Sequence, residues 1–299
     1  MKTYDYQIIA NLLAGKGRAE EKLESLKKFL DLHQKTYTTV EIRKFTPISE
    51  IPPNPDTKIK KGIICIGGDG TVSETIEFMG KRNWNSPIFI IPTGTANFIA
   101  NSMGIRTNVS YERLLKGSLK EYDLGISESL EGKDFFLVGI GLGFEQKFLE
   151  MAKQRQKKFL GKLIYFLAAF MQLFRLTPLP YRLVLGDREL NFKSSMIIIL
   201  NTKPKITSLL PLFPEKQINP NDGFLDILFI EHKNYFYSFL GILFFHILGR
   251  LDFGLVKRLR SKKVGIYSNN QLKIQIDGEI KEAQSLKISI IPHGVRFLV

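Results

Sequence analysis

Gly67-Gly68-Asp69-Gly70-Thr71 lies between a buried-looking apolar run and a helical pattern, and it has the composition of a phosphate-binding turn. Glycine lets backbone approach a phosphate closely, and the next helix begins with N–H groups free to meet an anion. Val72 and Ser73 belong to that first helical turn. Asp69 has the wrong charge to attract the anion itself, so it faces either a metal ion or an attacking hydroxyl. The segment Pro92-Thr93-Gly94-Thr95-Ala96-Asn97 repeats the arrangement after the next apolar run, offering Gly94, Thr95 and Asn97 to the same ligand. Asn11-Leu12-Leu13-Ala14-Gly15, after the first apolar run, adds Asn11 and Gly15, so that in chain order 11–15 is the first loop, 67–71 the second and 92–97 the third. Three such loops at the ends of adjacent parallel strands would converge on one crevice.

Two acidic turns lie far along the chain. Asn219-Pro220-Asn221-Asp222-Gly223-Phe224-Leu225-Asp226 gathers carboxylate and backbone oxygens, which suits a hard cation, although an ordinary Asp-Gly turn before a strand has the same spacing. Asp277-Gly278-Glu279 sets two carboxylates across a glycine at a hairpin tip, as a catalytic pair or as a solvated turn.

The elements that must carry these residues follow from periodicity. Apolar runs at 7–11, 62–66 and 87–91 alternate with helical patterns, the first of which repeats Leu23, Leu26, Phe29 and Leu30 at spacings of three and four. A strand pattern at 38–45 and a proline-rich break at 47–55 lie between them. This alternation predicts an α/β nucleotide-binding domain with a parallel sheet over residues 1–126. Beyond about Leu124, short strands at 135–140, 181–185, 195–200, 223–230, 263–267, 272–276 and 286–291 predict a mainly antiparallel β-sandwich domain over 127–299. The last strand is free to return to the first domain.

Composition narrows the partners. Lys and Arg outnumber Asp and Glu by 43 to 29, a formal net charge of +14, which favours anionic partners such as nucleotide phosphates or an acidic membrane surface. No nucleic-acid recognition motif, Walker A sequence, zinc-ligand spacing or nucleophile elbow is present. Cys65 is the only cysteine, so no intrachain disulfide forms, and its apolar neighbours mark it as a buried thiol. Residues 1–6 show no signal-peptide apolar core, and the expected location is cytoplasmic. Apolar stretches at 163–174 and 235–249 fall short of the roughly 20 residues a spanning helix needs. The first of them is preceded by Lys153, Arg155, Lys157, Lys158 and Lys162 and followed by Arg175, so with Arg106 it can dock peripherally on anionic headgroups or simply form a solvated helical flank.

Taken in order, these motifs resemble the diacylglycerol kinase catalytic-domain family, in particular its soluble bacterial lipid-kinase branch related to sphingosine and ceramide kinases. Residues 11–15 match Asn-Pro-x-Ser-Gly, residues 67–74 match Gly-Gly-Asp-Gly-Thr-x-x-Glu, and residues 92–97 match Pro-x-Gly-Thr-x-Asn. Residues 141–145 are similar to Gly-x-Gly-Phe-Asp with Glu145 for Asp, residues 222–226 match Asp-Gly-x-Leu-Asp, and residues 277–279 match Asp-Gly-Glu. The resemblance implies ATP with Mg²⁺ as donor and a lipid substrate whose hydroxyl is phosphorylated in an interdomain cleft. It implies that Asp69, Asp277 and Glu279 are catalytic, with Asp277 or Glu279 as general base. It also implies a structural Mg²⁺ on the Asp222 side chain and the carbonyls of Asn219 and Phe224. Beside the lipid, the expected partners are an anionic membrane surface and a second copy of the chain in a homodimer.

Three departures bear on these expectations: Leu12 replaces proline, Ala14 replaces serine, and Phe98 stands where many diacylglycerol kinases carry an aspartate. The alternatives are a non-catalytic nucleotide- or lipid-binding regulator on the same fold, which the retained Asp69, Asp277 and Glu279 argue against, and an NAD kinase. The latter shares the Gly-Gly-Asp-Gly-Thr loop but is disfavoured by the Pro-x-Gly-Thr-x-Asn and Asp-Gly-x-Leu-Asp segments.

Overall fold

In the computed structural model of the chain, the residues described are 2–43, 48, 57–82, 84–95, 97–143, 178–202, 218–231 and 256–299. The basic and apolar stretches at 153–175 and 235–249, and Glu145, lie outside them.

The first third is built on four parallel strands: β1 (Lys2–Asn11), β2 (Tyr37–Ile42), β3 (Thr57–Gly67) and β4 (Ile88–Pro92). They pair in the spatial order β4-β3-β1-β2, and all three contacts are parallel. Helix α1 (Arg18–Leu32) connects β1 to β2, and α2 (Asp69–Lys81) connects β3 to β4. Successive strand residues point to opposite faces, and β3 shows where each face goes. Ile64 and Ile66 pack with Leu23, Leu26 and Leu30 of α1, whereas Ile63 and Cys65 pack with Val72, Ile76 and Met79 of α2. A strand covered on both faces has to be apolar throughout, which is why 63–66 reads as an unbroken run rather than an alternation.

Two short helices, α3 (Phe98–Ser102) and α4 (Arg113–Lys116), lead into the β-rich remainder. Its strands are β5 (Leu119–Ser129), β6 (Gly132–Phe136), β7 (Gly139–Leu142), β8 (Leu179–Leu185), β9 (Arg188–Leu200), β10 (Leu225–Glu231), β11 (Val256–Ser261), β12 (Lys263–Ile276) and β13 (Glu279–Leu298). Every pairing among them is antiparallel. A core of Ile197, Ile199, Leu225, Ile227, Ile266 and Ile274 lies between them. The 20-residue β13 joins the two regions. Its first half pairs with β12 and its second half with β5, and near the C-terminus Phe297 pairs with Ile88 of β4 in parallel.

Two strand readings change. The run at 135–140 is not one strand: β6 ends at Phe136, β7 starts at Gly139, and the break at 137–138 places three backbone N–H groups on the Asp277 carboxylate. The segments 263–267 and 272–276 are one strand, β12, with a register shift between Tyr267 and Leu272.

Candidate active site

The site grows from the C-terminal ends of β1, β3 and β4. At the end of β1, Asn11 turns the chain by accepting the Leu13 N–H on Oδ1 (3.1 Å), and its Nδ2 donates to Thr71 Oγ1 (3.1 Å). The Thr93 N–H donates to the Gly67 carbonyl (2.8 Å), tying the second loop to the third. Where those two loops cross, no side chain fits. A methyl group on Gly94 would lie 2.7 Å from Gly68 Cα and 2.8 Å from Asn97 Oδ1. Gly15 is equally constrained, with φ +74° and a would-be methyl 2.3 Å from the Thr93 carbonyl oxygen. The three glycine loops therefore touch through bare backbone.

Asp69 ties the second loop to the helix that follows the third. Its Oδ1 accepts the Ile99 N–H at the start of α3 (2.8 Å), satisfying a donor that the short helix leaves open. Asn97 takes the left-handed conformation (φ 47°) and folds its Nδ2 back onto the Gly94 carbonyl (2.8 Å). Ser73 Oγ, Thr93 Oγ1 and Asn97 Oδ1 are buried without a hydrogen-bond partner. Buried polar atoms are normally paired, so three orphans among glycine loops fit a polar ligand such as a nucleotide. Thr95 is exposed beside them.

Opposite the start of α2 stands the β12–β13 hairpin. Asp277 (φ 45°) accepts three backbone N–H groups, from Leu137 (2.7 Å), Val138 (2.9 Å) and Gly139 (2.8 Å), so both of its oxygens are engaged. Burial pushes its carboxyl up to about 6 against the pull of those N–H groups, and the Asp69 charge pushes the same way. Glu279 lies close to the glycine turn, its Oε1 being 3.9 Å from where a Cβ on Gly70 would be. Burial raises the Glu279 carboxyl; Lys281 opposes that rise, while Glu74, Glu77 and Asp134 add to it. These residues line one small cleft with Ser73. Glu74 Oε2 accepts the Ile48 N–H (3.1 Å), Glu77 pairs with Lys81, and Asp134 pairs with Lys281. Glu279 makes no such bond to any described residue.

The second acidic turn lies in different company. The Asp222 carboxylate accepts the Phe224 N–H on Oδ1 (3.1 Å) and the Arg260 guanidinium on Oδ2. Asn219 Oδ1 accepts the Asn221 N–H (3.1 Å). The loop is anchored by Asp123, which is fully buried and accepts the N–H groups of Gly223 (2.6 Å) and His293 (2.8 Å). Arg260 also reaches the buried Asp226 (3.4 Å), which Arg258 engages at 2.6 Å. Of the expected Mg²⁺ ligands Asn219, Asp222 and Phe224, the Asp222 carboxylate is thus paired with a partly exposed guanidinium.

Sequence reading alone singled out neither Asp134 and Lys281 nor Asp123. Lys281 had a usable signal: it stands two residues beyond Glu279, hence on the same face of a strand. Asp134 and Asp123 had none, since their partners are 147, 100 and 170 residues away.

A parallel sheet with three glycine loops at its strand ends, facing a carboxylate-bearing hairpin from a β-rich region, defines a kinase-type fold. Comparison with known proteins agrees. Residues 5–126 match the diacylglycerol kinase catalytic domain, and residues 140–299 match the YegS C-terminal NAD kinase beta sandwich-like domain. The chain thus carries a diacylglycerol kinase catalytic domain followed by a YegS-type C-terminal domain, and it belongs to the family that the second, matching more than half of its length, defines. It is 26% identical over 242 residues, 79% of this chain and 75% of the other, to a Staphylococcus haemolyticus protein named "Putative lipid kinase SH2167". It is 25% identical over 301 residues, 99% of this chain and 94% of the other, to a Staphylococcus aureus protein named "Putative lipid kinase SAS0691". Among solved structures, a "putative diacylglycerol kinase" from Bacillus anthracis shares the fold with a TM-score of 0.75 at 18% identity, covering 100% of this chain and 98% of that one. Among the described residues, no helix is long and apolar enough to cross a membrane.

Proposed function

We propose that this chain is an ATP-dependent lipid kinase whose reaction takes place between the glycine loops and the β12–β13 hairpin. The observation that carries the reading is the position of Glu279, a carboxylate with no partner among the described residues, beside Gly70 of the phosphate-binding turn. ATP with Mg²⁺ on its phosphates supplies the phosphoryl group. The backbone of Gly67 to Gly70 and the first turn of α2 hold the phosphates, and Ser73 Oγ, Thr93 Oγ1 and Asn97 Oδ1 complete the polar lining. Phosphoryl transfer needs mainly alignment and charge stabilisation, and an alcohol is a poor nucleophile until a base takes its proton.

Of the two hairpin carboxylates, Glu279 is the better acceptor for that proton. Asp277 spends both oxygens on backbone and so fixes the hairpin against the 137–139 turn. The acceptor is a lipid hydroxyl of diacylglycerol-like or sphingoid-like character, and the net charge of +14 supports delivery at an anionic membrane surface. Such a location is peripheral and cytoplasmic, and a homodimer is compatible with it. The test is incubation with γ-labelled ATP and a total lipid extract, followed by identification of the labelled product, with Glu279→Gln as control. Label in a chloroform-soluble product that disappears in the variant is the expected result. Label only in released phosphate would overturn the reading.

A further inference from the structure

Among the described residues, the cleft beside Gly70 is lined by five carboxylates and one cation, Lys281. In the β12–β13 pairing, Glu279 lies opposite Ile276, Lys281 opposite Ile274, and Ala283 opposite Leu272. Directly opposed residues share a face, and Ile276, Ile274, Leu272 and Ala283 are all buried. Glu279 and Lys281 therefore stand side by side on the same face of β13, Glu279 exposed at the hairpin tip and Lys281 partly buried. The Lys281 ammonium pairs with Asp134 of β6.

We propose that Lys281, held by Asp134, is a positioning residue that keeps the Glu279 carboxylate ionised and unpaired, ready to accept a proton. The proposal rests on the reading of Glu279 as the proton acceptor. The charges around Glu279 are Glu74 and Glu77 on α2, the latter paired with Lys81, Asp134 on β6, Lys281 on its own strand, and Asp277 at the hairpin tip, whose carboxylate is held by the 137–139 N–H groups. Glu74, Glu77 and Asp134 disfavour ionisation of Glu279 and the ammonium favours it. A free lysine two residues away would swing onto Glu279 and occupy the lone pairs that a substrate hydroxyl needs. Anchoring on Asp134 prevents this while leaving the positive charge nearby. Burial works to lower the Lys281 ammonium, but the Asp134 contact outweighs it and the ammonium lies above its usual range, so the cation is retained at neutral pH.

The experiment is a ¹³C carboxyl NMR titration of Glu279 in the full chain, without substrate, with the resonance assigned by its loss in Glu279→Gln. Lys281→Met should move the titration to higher pH, because the one favourable charge is gone. Asp134→Asn should move it to lower pH, because a repelling charge is removed and Lys281 is released toward Glu279. Lys281→Arg should restore the wild-type midpoint, and Lys281→Gln serves in place of Lys281→Met if that variant does not fold. Both Lys281→Met and Asp134→Asn break the same ion pair, so a purely structural role predicts equal loss of melting temperature and no divergence between the midpoints. Midpoints that stay together or move the same way would overturn the proposal. Because no substrate enters the titration, that result stands apart from failure of the lipid-labelling assay, which would instead remove the assigned function.

Discussion

Asp277 and Gly139 hold each other across the chain: the Gly139 N–H donates to Asp277 Oδ1 at 2.8 Å, and the Asp277 N–H donates to the Gly139 carbonyl at 3.1 Å. With the Leu137 and Val138 N–H groups on the same carboxylate, the hairpin tip is locked to the break between β6 and β7. That lock determines where Glu279 stands. Asp277→Asn replaces one acceptor oxygen with an NH₂ facing an N–H, so we expect a stability loss of about 1–3 kcal/mol and lower activity. The loss should depend on pH. The folded carboxyl is raised to about 6, so the stability from its protonated form is fully present below its unfolded value and fades as pH rises through 6. The gap in melting temperature between wild type and Asp277→Asn should therefore widen from pH 8 to pH 5. A gap that narrows would mean that the three N–H donors outweigh burial.

We expect Asp69 to have two separable roles. Its Oδ1 caps α3 through Ile99, and its charge acts on the Asp277 carboxyl. Asp69→Ala should lose about 1 kcal/mol of stability with the cap, together with lipid labelling. Asp69→Asn keeps an oxygen for the Ile99 N–H and removes only the charge. Its melting temperature should stay near wild type while turnover is lost. Near-normal turnover in Asp69→Asn would reduce Asp69 to a cap.

Gly94→Ala tests the contact between the loops. A methyl group 2.7 Å from Gly68 Cα and 2.8 Å from Asn97 Oδ1 must push the second and third loops apart. Overpacking of this kind costs about 1–3 kcal/mol. Binding of a non-hydrolysable ATP analogue, measured by calorimetry, should weaken with it. Unchanged nucleotide affinity would place the nucleotide away from this crossing.

The glycine loops were legible because their chemistry is local. Three glycines after a buried run announce a turn that needs bare backbone, and the 63–66 run announces a strand covered on both faces. Strand β5 was not legible: Leu119-Lys120-Glu121-Tyr122 begins with three exposed residues, two of them charged, and its pairing with β13 is fixed by partners some 170 residues away. The split at 137–138 was equally silent, since residues 135–140 look uniformly apolar and the force that breaks the strand is the Asp277 carboxylate. At the Asp222 turn the composition suits a cation, and the sequence does not reveal that Arg260, 38 residues further on, pairs with its carboxylate.

The Asp222 turn also yields a test of metal dependence. Arg260 bridges Asp222 and Asp226 and lies with its guanidinium 4.9 Å from the Phe224 ring centroid, so it competes for the carboxylate that a divalent ion would use. The Asp222–Arg260 pair is partly solvated, with side-chain exposures of 25% and 41%, so its own contribution to stability is only about 0.2–1 kcal/mol. The absolute effect of breaking it is therefore a poor measure, and the effect of Mg²⁺ is the better one. Wild type, without nucleotide, should melt at the same temperature in Mg²⁺ and in chelator. Arg260→Met exposes the Asp222 carboxylate beside the carbonyls of Asn219 and Phe224, and in that variant Mg²⁺ should raise the melting temperature. Adding Asp222→Asn to Arg260→Met should abolish the rise, because a neutral amide binds Mg²⁺ far less well than a carboxylate. A Mg²⁺-dependent rise in wild type that Asp222→Asn removes would show that the ion displaces Arg260, and that this loop holds metal after all.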